Sequence, residues 1–211
     1  MSTFRTSFRS SRRLSRRAAV FGFTLIELLV VIGIMTAVAG VVFFNQNVFR
    51  SSILLGNLTY DVALSLRQAQ TYGIATRGTS DATPVFTAGY GVHFDPAQPT
   101  RYVLFADIDN NQSYAPPDSD VQTFLLQGGY EIAAVCYKDG AQVEQCSPPG
   151  GTAVSIVFKR PDPDALITAV GVVGGENRPE AKVILKSPNG DTRYVNVQQS
   201  GQISIQQGSG S

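Results

Sequence analysis

The sequence predicts an α+β fold, one long N-terminal helix packed on an antiparallel β-sheet, and three observations carry that prediction. The run Phe23–Phe44 is apolar except for Glu27 and a few small polar positions. Apolar residues then recur at helical spacing as far as Ala69, with no proline before Pro84. From about residue 84 onward, short runs of β-branched and aromatic residues alternate with turn residues. The 211 residues, 43% of them hydrophobic, suffice for one modest domain with an anchor and leave little room for two full cores.

Residues 1–22 come first and are strongly basic: they hold Arg5, Arg9, Arg12, Arg13, Arg16 and Arg17 and no acid. The rest of the chain has 11 basic against 16 acidic residues, a net of −5. A mildly acidic chain has no general attraction for phosphate, and no local basic patch follows residue 22. Nucleic acid is therefore not expected as a partner.

The run Phe23–Phe44 has 22 residues. At about 1.5 Å per helical residue it spans roughly 33 Å, enough to cross a hydrocarbon core of about 30 Å. Arginines precede it and only Arg50 follows closely, so the positive-inside rule keeps the N-terminus cytoplasmic and sends the remainder outward. Three readings compete: a simple signal-anchor, a secretory signal removed behind Ala37-Val38-Ala39, and a leader removed in front of the apolar run. Glu27 weighs against the first two. A carboxylate near the bilayer centre costs roughly 2.5–3.5 kcal/mol, and neither an anchor nor a signal core gains anything from it.

The residues Gly22-Phe23-Thr24-Leu25-Ile26-Glu27, followed by Leu28-Leu29-Val30-Val31-Ile32-Gly33-Ile34, resemble the signature of type IV prepilins and of the related type II secretion pseudopilins almost position for position. The resemblance implies a pilin fold. It also implies cleavage between Gly22 and Phe23 by a dedicated prepilin peptidase, N-methylation of Phe23, and a part for Glu27 in assembly. The chemistry is intelligible from charge alone. A freshly cut helix carries a protonated amine and unsatisfied N–H groups, and a carboxylate from a neighbouring helix neutralises them where helices bundle.

After Phe44 the residues Val48, Leu55, Leu58, Val62, Leu66 and Ala69 form one apolar stripe, opposite Arg50, Asn57, Asp61 and Arg67. The helix is expected to continue over residues 45–78, bent near Gly56 and ended by Gly73 or Gly78. The stretch Leu66–Gly78 is similar, more loosely, to the corresponding helix end in the H-type minor pseudopilins and FimT-type minor pilins.

Residues 79–205 are then expected to form the antiparallel domain, and residues 206–211 a flexible tail. The expected strands are Val85–Thr87, Tyr90–Phe94, Tyr102–Ala106, Thr123–Leu126, Glu131–Val135, Val154–Phe158, Leu166–Val172, Ala181–Lys186, Thr192–Val197 and Gln202–Ile205. Asn189-Gly190 marks a hairpin, and Asp139-Gly140 a second one between the cysteines. The closing runs Thr192–Val197 and Ser200–Ile205 resemble the last hairpin of the H-type and FimT-type domain.

Four further places invite a chemical reading. Cys136 and Cys146 lack zinc spacing, and a hairpin between them would bring the sulfurs within bonding range, so outside the cytoplasm they should form a disulfide. Asp107, Asp109 and Asn111 offer oxygen at alternate positions ahead of Asp118 and Asp120, a pattern with some suitability for calcium. Gln112 stands where a calcium loop's glycine belongs and Asp118 where its glutamate belongs, so a solvated turn is the first reading and no metal or other cofactor is expected. His93 is the only histidine, in a strand with no nucleophile motif beside it, so a sheet-face role is expected. Arg160-Pro161-Asp162-Pro163-Asp164 reads as a stiff turn.

The resemblance implies a non-enzymatic fibre subunit, a minor pilin or a pseudopilin. Its expected partners are the prepilin peptidase, other pilin or pseudopilin subunits and an inner-membrane assembly platform. It would be a single-pass membrane protein before it becomes part of a periplasmic or cell-surface fibre. A DNA-binding minor pilin is an alternative, although Gln202–Ser211 contains no lysine or arginine. A secreted or membrane-anchored binding domain is the other.

Overall fold

The computed structural model describes residues 22–75, 78, 86–148 and 150–208. The basic segment 1–21, the expected strand residue Val85, Arg77 of the expected helix end and residues 209–211 of the expected tail lie outside the described residues. The chain divides into two compact units, Met1–Phe44 and Asn45–Ser211. One helix, α1 (Leu25–Ile74), contributes to both.

In the first unit, Leu25–Phe43 is long and apolar enough to cross a membrane, and none of that span is buried among the described residues. Its large side chains, from Leu25 to Phe43, face outward all round the helix. Such a helix needs lipid or other protein to cover it.

In the second unit, α1 has two distinct faces. Leu55, Thr59, Val62, Ala63, Leu66 and Ala69 are buried, while Arg50, Asn57, Asp61 and Arg67 are exposed. The helix runs through Gly56 without a break, and Arg193 lies where a side chain at Gly56 would project, its guanidinium 3.2 Å away. Gly73 lies inside the helix, which ends at Ile74. Its role is close approach: a Cβ there would stand 2.2 Å from the carbonyl oxygen of Phe158.

Among the described residues ten strands follow, and they form two five-stranded antiparallel sheets where a single sheet was expected. The first has the order β3 (Ser119–Leu125), β2 (Arg101–Asp107), β1 (Gly89–Phe94), β6 (Val154–Phe158), β7 (Ala165–Ala169). The second has the order β10 (Ile203–Gln207), β9 (Thr192–Gln198), β8 (Glu180–Lys186), β4 (Glu131–Lys138), β5 (Glu144–Ser147). One core joins them: Leu55, Val62 and Leu66 of the helix, Val92, Leu104 and Ile156 of the first sheet, and Ile132, Val183 and Val195 of the second belong to the same buried cluster. The split has a simple cause, because hairpin-linked β1 and β2, and later β6 and β7, pair with each other while β4 pairs with β8.

Three local expectations need correction. Phe86 and Thr87 form a bend and not a strand. Leu166–Val172 is a strand only to Ala169, since Gly171 and Gly174 take positive φ and turn the chain back on itself, with Ala169 N–H bonded to Gly175 O at 2.8 Å. The tail is ordered into β10 as far as Gln207: Gln206 pairs with Tyr194 and Gln207 with Arg193, and the Tyr194 hydroxyl donates to Gln206 Oε1 at 2.6 Å. Backbone pairing, available to glutamine as to any residue, overrides polar composition there. The Asn189-Gly190 turn joins β8 to β9, with Gly190 at φ +93°.

Gly73→Ala should lower the stability of the folded unit by about 1–3 kcal/mol, because a methyl group must displace the Phe158 backbone, although alanine is the better helix former. Urea unfolding of the full chain in detergent measures this. An unchanged or raised midpoint would contradict the close packing of α1 on β6.

Candidate functional site

The start of α1 brings three of the sequence-selected residues together. Gly22, Phe23 and Thr24 precede the helix. The Thr24 carbonyl accepts the first helical bond from Leu28 N–H at 3.1 Å, and Thr24 Oγ1 accepts from Glu27 N–H at 3.2 Å. Thr24 is thus the N-cap and Glu27 the third helical residue, the Thr-x-x-Glu spacing of a capping box. The Glu27 side chain is exposed and makes no ion pair among the described residues. A carboxylate in the first turn is favoured by the positive end of the helix. The arrangement offers an exposed peptide bond between Gly22 and Phe23 and an unneutralised acid one turn later.

The cysteines lie directly opposite one another in the β4–β5 hairpin, Cys136 facing Cys146, and they form a disulfide with S–S 2.04 Å. The hairpin turn is set by Asp139, whose Oδ1 accepts from Ala141 and Val143 N–H, both at 2.9 Å. Those bonds, the one from Val143 first, hold its carboxyl below the usual carboxylate range. The hairpin is braced sideways, since Lys182 pairs with Glu144 at 2.5 Å and Lys138 pairs with Glu180. Arg178 lies over the Tyr137 ring, 5.3 Å from its centroid, and donates to Gly175 O at 3.2 Å, which ties the β7–β8 loop to the hairpin.

The acidic segment folds back on the outer face of the first sheet. Asp107, buried at the end of β2, accepts from Asn111 and Gln112 N–H, both at 3.1 Å. Asp118 accepts from Ile108 N–H at 2.9 Å and from Ala115 N–H at 3.1 Å. Carboxylate oxygens of Asp107, Asp109 and Asp118 all lie within 4.8 Å of one another. Gln112 takes φ +64°, so it adopts the backbone form that a glycine would supply. Asn111 uses its Oδ1 to accept from Ser113 N–H at 2.7 Å. These Asx-type bonds account for the shape of the loop from its own donors. Burial pushes the Asp107 carboxyl up to about 6, with the Asp118 charge adding to the effect, and burial likewise raises Asp118.

What the sequence alone did not reveal is the contact that seats this loop. His93 Nδ1 lies 2.9 Å from Ser155 Oγ, a residue 62 positions away on β6, and the same hydroxyl accepts from Tyr114 N–H at 3.3 Å. The Tyr114 ring rests 5.0 Å from His93 and 5.2 Å from Phe105, and its hydroxyl donates to Asp120 at 2.5 Å. That bond raises the phenol to about 12. Only the register His93 opposite Ser155 could have signalled the pair, and register is a property of the assembled sheet. Ser155 is fully buried, so its hydroxyl is closed to a substrate and reads as a structural anchor. The turn Arg160–Asp164 connects β6 to β7, with the Arg160 guanidinium donating to Phe86 O.

Compared with known proteins, the chain matches no family model, no curated protein and no solved structure.

The buried imidazole makes a pH prediction. Burial lowers His93 from its usual 6.5 to about 4, with Asp95 opposing and Arg101 assisting. The unfolded chain therefore takes up this proton first as pH falls, so the stability contributed by neutral His93 is complete above about 6.5 and declines towards pH 4. Asp107 works in the opposite sense, because its folded form binds a proton near pH 6, before the unfolded form does. His93→Gln should remove about 2–3 kcal/mol of the acid-induced loss between pH 7 and pH 4.5. Urea midpoints of both proteins at the two pH values test this, and identical shifts would place His93 outside the acid response.

Proposed function

We propose that the chain is a structural subunit of the type IV pilin-like class, a minor pilin or pseudopilin, that loses residues 1–22 and joins a fibre through its N-terminal helix. One observation carries the reading: the span Leu25–Phe43 is apolar on every side, covered by none of the described residues, and opens with a lone exposed acid one turn after Gly22-Phe23. A plain anchor accounts for the apolar side chains and leaves Glu27 without a purpose. A fibre core accounts for both, because bundled helices bury each other's apolar faces while Glu27 meets the new amine of Phe23 on a neighbouring subunit. The disulfide supports an extracytoplasmic location for the folded unit.

On this reading residues 45–208 are what the fibre displays. The exposed face of α1 in that unit keeps Tyr60 and Leu64 uncovered between two shallow clefts of about 250 and 210 Å³, surface of the kind that packs against other subunits. The expected partners remain the prepilin peptidase, sister subunits and an inner-membrane platform.

Mass spectrometry of the protein recovered from membranes should find Phe23 as the first residue, carrying one methyl group on its amine. A chain beginning at Gly40 would establish a secretory signal instead, and an intact leader would establish a simple anchor.

Glu27→Ala keeps a good helix former and leaves the folded unit's core untouched, so urea stability should stay within about 0.5 kcal/mol of wild type. Incorporation into fibres should fall at least about ten-fold, as an unpaired buried amine costs roughly several kcal/mol. Equal incorporation at equal expression would refute the pairing.

A further inference from the structure

Gly22–Phe23 is a peptide bond just outside a helix, and a side-chain cap sits at that helix's start. At its start every helix leaves N–H groups without partners. In water the solvent accepts them. At the edge of a membrane, where water is scarce, each orphan is more costly, and the chain has two remedies: a side-chain acceptor at the cap, or another turn of helix on the N-terminal side. Thr24 supplies the first remedy, with Oγ1 accepting from Glu27 N–H at 3.2 Å while its own carbonyl takes the Leu28 N–H.

Gly22 and Phe23 lie outside the capped helix. Among the described residues nothing stands within 4 Å of the position a Gly22 side chain would occupy, and Phe23 is 82% exposed. That openness is what a peptidase needs. It engages its substrate through main-chain N–H and C=O groups in extended form, and in a helix those groups are committed to partners four residues away.

We infer that Thr24 is a positioning residue for leader removal: its hydroxyl caps α1 and so holds the Gly22–Phe23 bond in the extended form a peptidase can grip. The inference rests on the proposed processing at that bond. The step is a hydrolysis, in which one water is consumed, the C–N bond breaks, Gly22 keeps the carboxyl group and Phe23 leaves with the amine. Thr24 takes no part in the bond chemistry. It sets the fraction of chains in which the bond is available, and a smaller competent fraction raises apparent KM and leaves kcat alone.

The test compares full-length wild type, Thr24→Val and Thr24→Ser in detergent-solubilised membranes mixed with solubilised membranes that contain a prepilin peptidase, following release of the leader by mass spectrometry. Valine matches threonine in shape and has no acceptor, whereas serine restores one. Thr24→Val should raise KM about 3- to 10-fold with kcat within about two-fold of wild type, and Thr24→Ser should behave as wild type. Failure of the wild-type chain to be cut at Gly22–Phe23 overturns the processing reading and this inference with it. Normal wild-type cleavage with an unmoved KM in Thr24→Val, or an equal defect in Thr24→Ser, overturns the cap alone.

Discussion

Burial of one stripe of α1 against both sheets is the interaction on which the folded unit depends. Leu55, Val62, Leu66 and Ala69 share a single core with Val92, Leu104 and Ile156 of the first sheet and with Ile132, Val183 and Val195 of the second. A five-stranded sheet with one apolar face needs a partner, and here the helix and the other sheet supply it together. The closeness of the helix to β6 follows from glycine at position 73, and the seat for Arg193 over the helix follows from glycine at position 56.

The same helix has a second, unlike half. Residues 25–43 have no polar face, and none of the described residues covers them. An apolar surface of this kind calls for lipid or other protein to cover it, and that gives Glu27 its interest. In an apolar span a single acid is tolerated best at the end, where the helix N-terminus offers partial positive charge. Thr24 and Glu27 together make that end a defined place in the sequence and not a frayed one.

On the outer face of the first sheet, polar groups are held by a hydrophobic device. Val103, Phe105 and Val157 form a small second cluster, and Tyr114 covers it. The loop that carries Tyr114 is acidic, so closing it crowds Asp107, Asp109 and Asp118 against one another. Burial does most to raise Asp107 and the Asp118 charge adds to it, while the backbone N–H donors of Gln112 and Asn111 offset the rise only in part. His93, neutral and bonded to Ser155, is buried beneath the same tyrosine. Two groups with opposing responses to acid thus share one corner of the sheet.

Local pattern carried much of this structure. The apolar run, the stripe from Leu55 to Ala69, the Asn189-Gly190 turn and most strand positions depend on neighbours a few residues apart, so periodicity and turn chemistry reveal them. The run from Gly22 to Ile34 and the place of Glu27 in it are likewise legible as pattern, because they lie in order along the chain. Other features depended on contacts between distant residues. Partition of the strands into two sheets, extension of β10 to Gln207, the His93–Ser155 pair and the role of Gly73 each rest on which segments meet in space. Composition argued for a loose tail at Gln206-Gln207, but an open strand edge at β9 outweighed it by offering backbone partners. By itself the sequence determined a membrane-length apolar helix with one acid at its start, an amphipathic continuation and an antiparallel domain, since each is written in residue spacing. Only the tertiary structure decided how the strands divide, where the acids converge and what lies over the lone histidine, because pairing register and packing join residues that no local pattern connects.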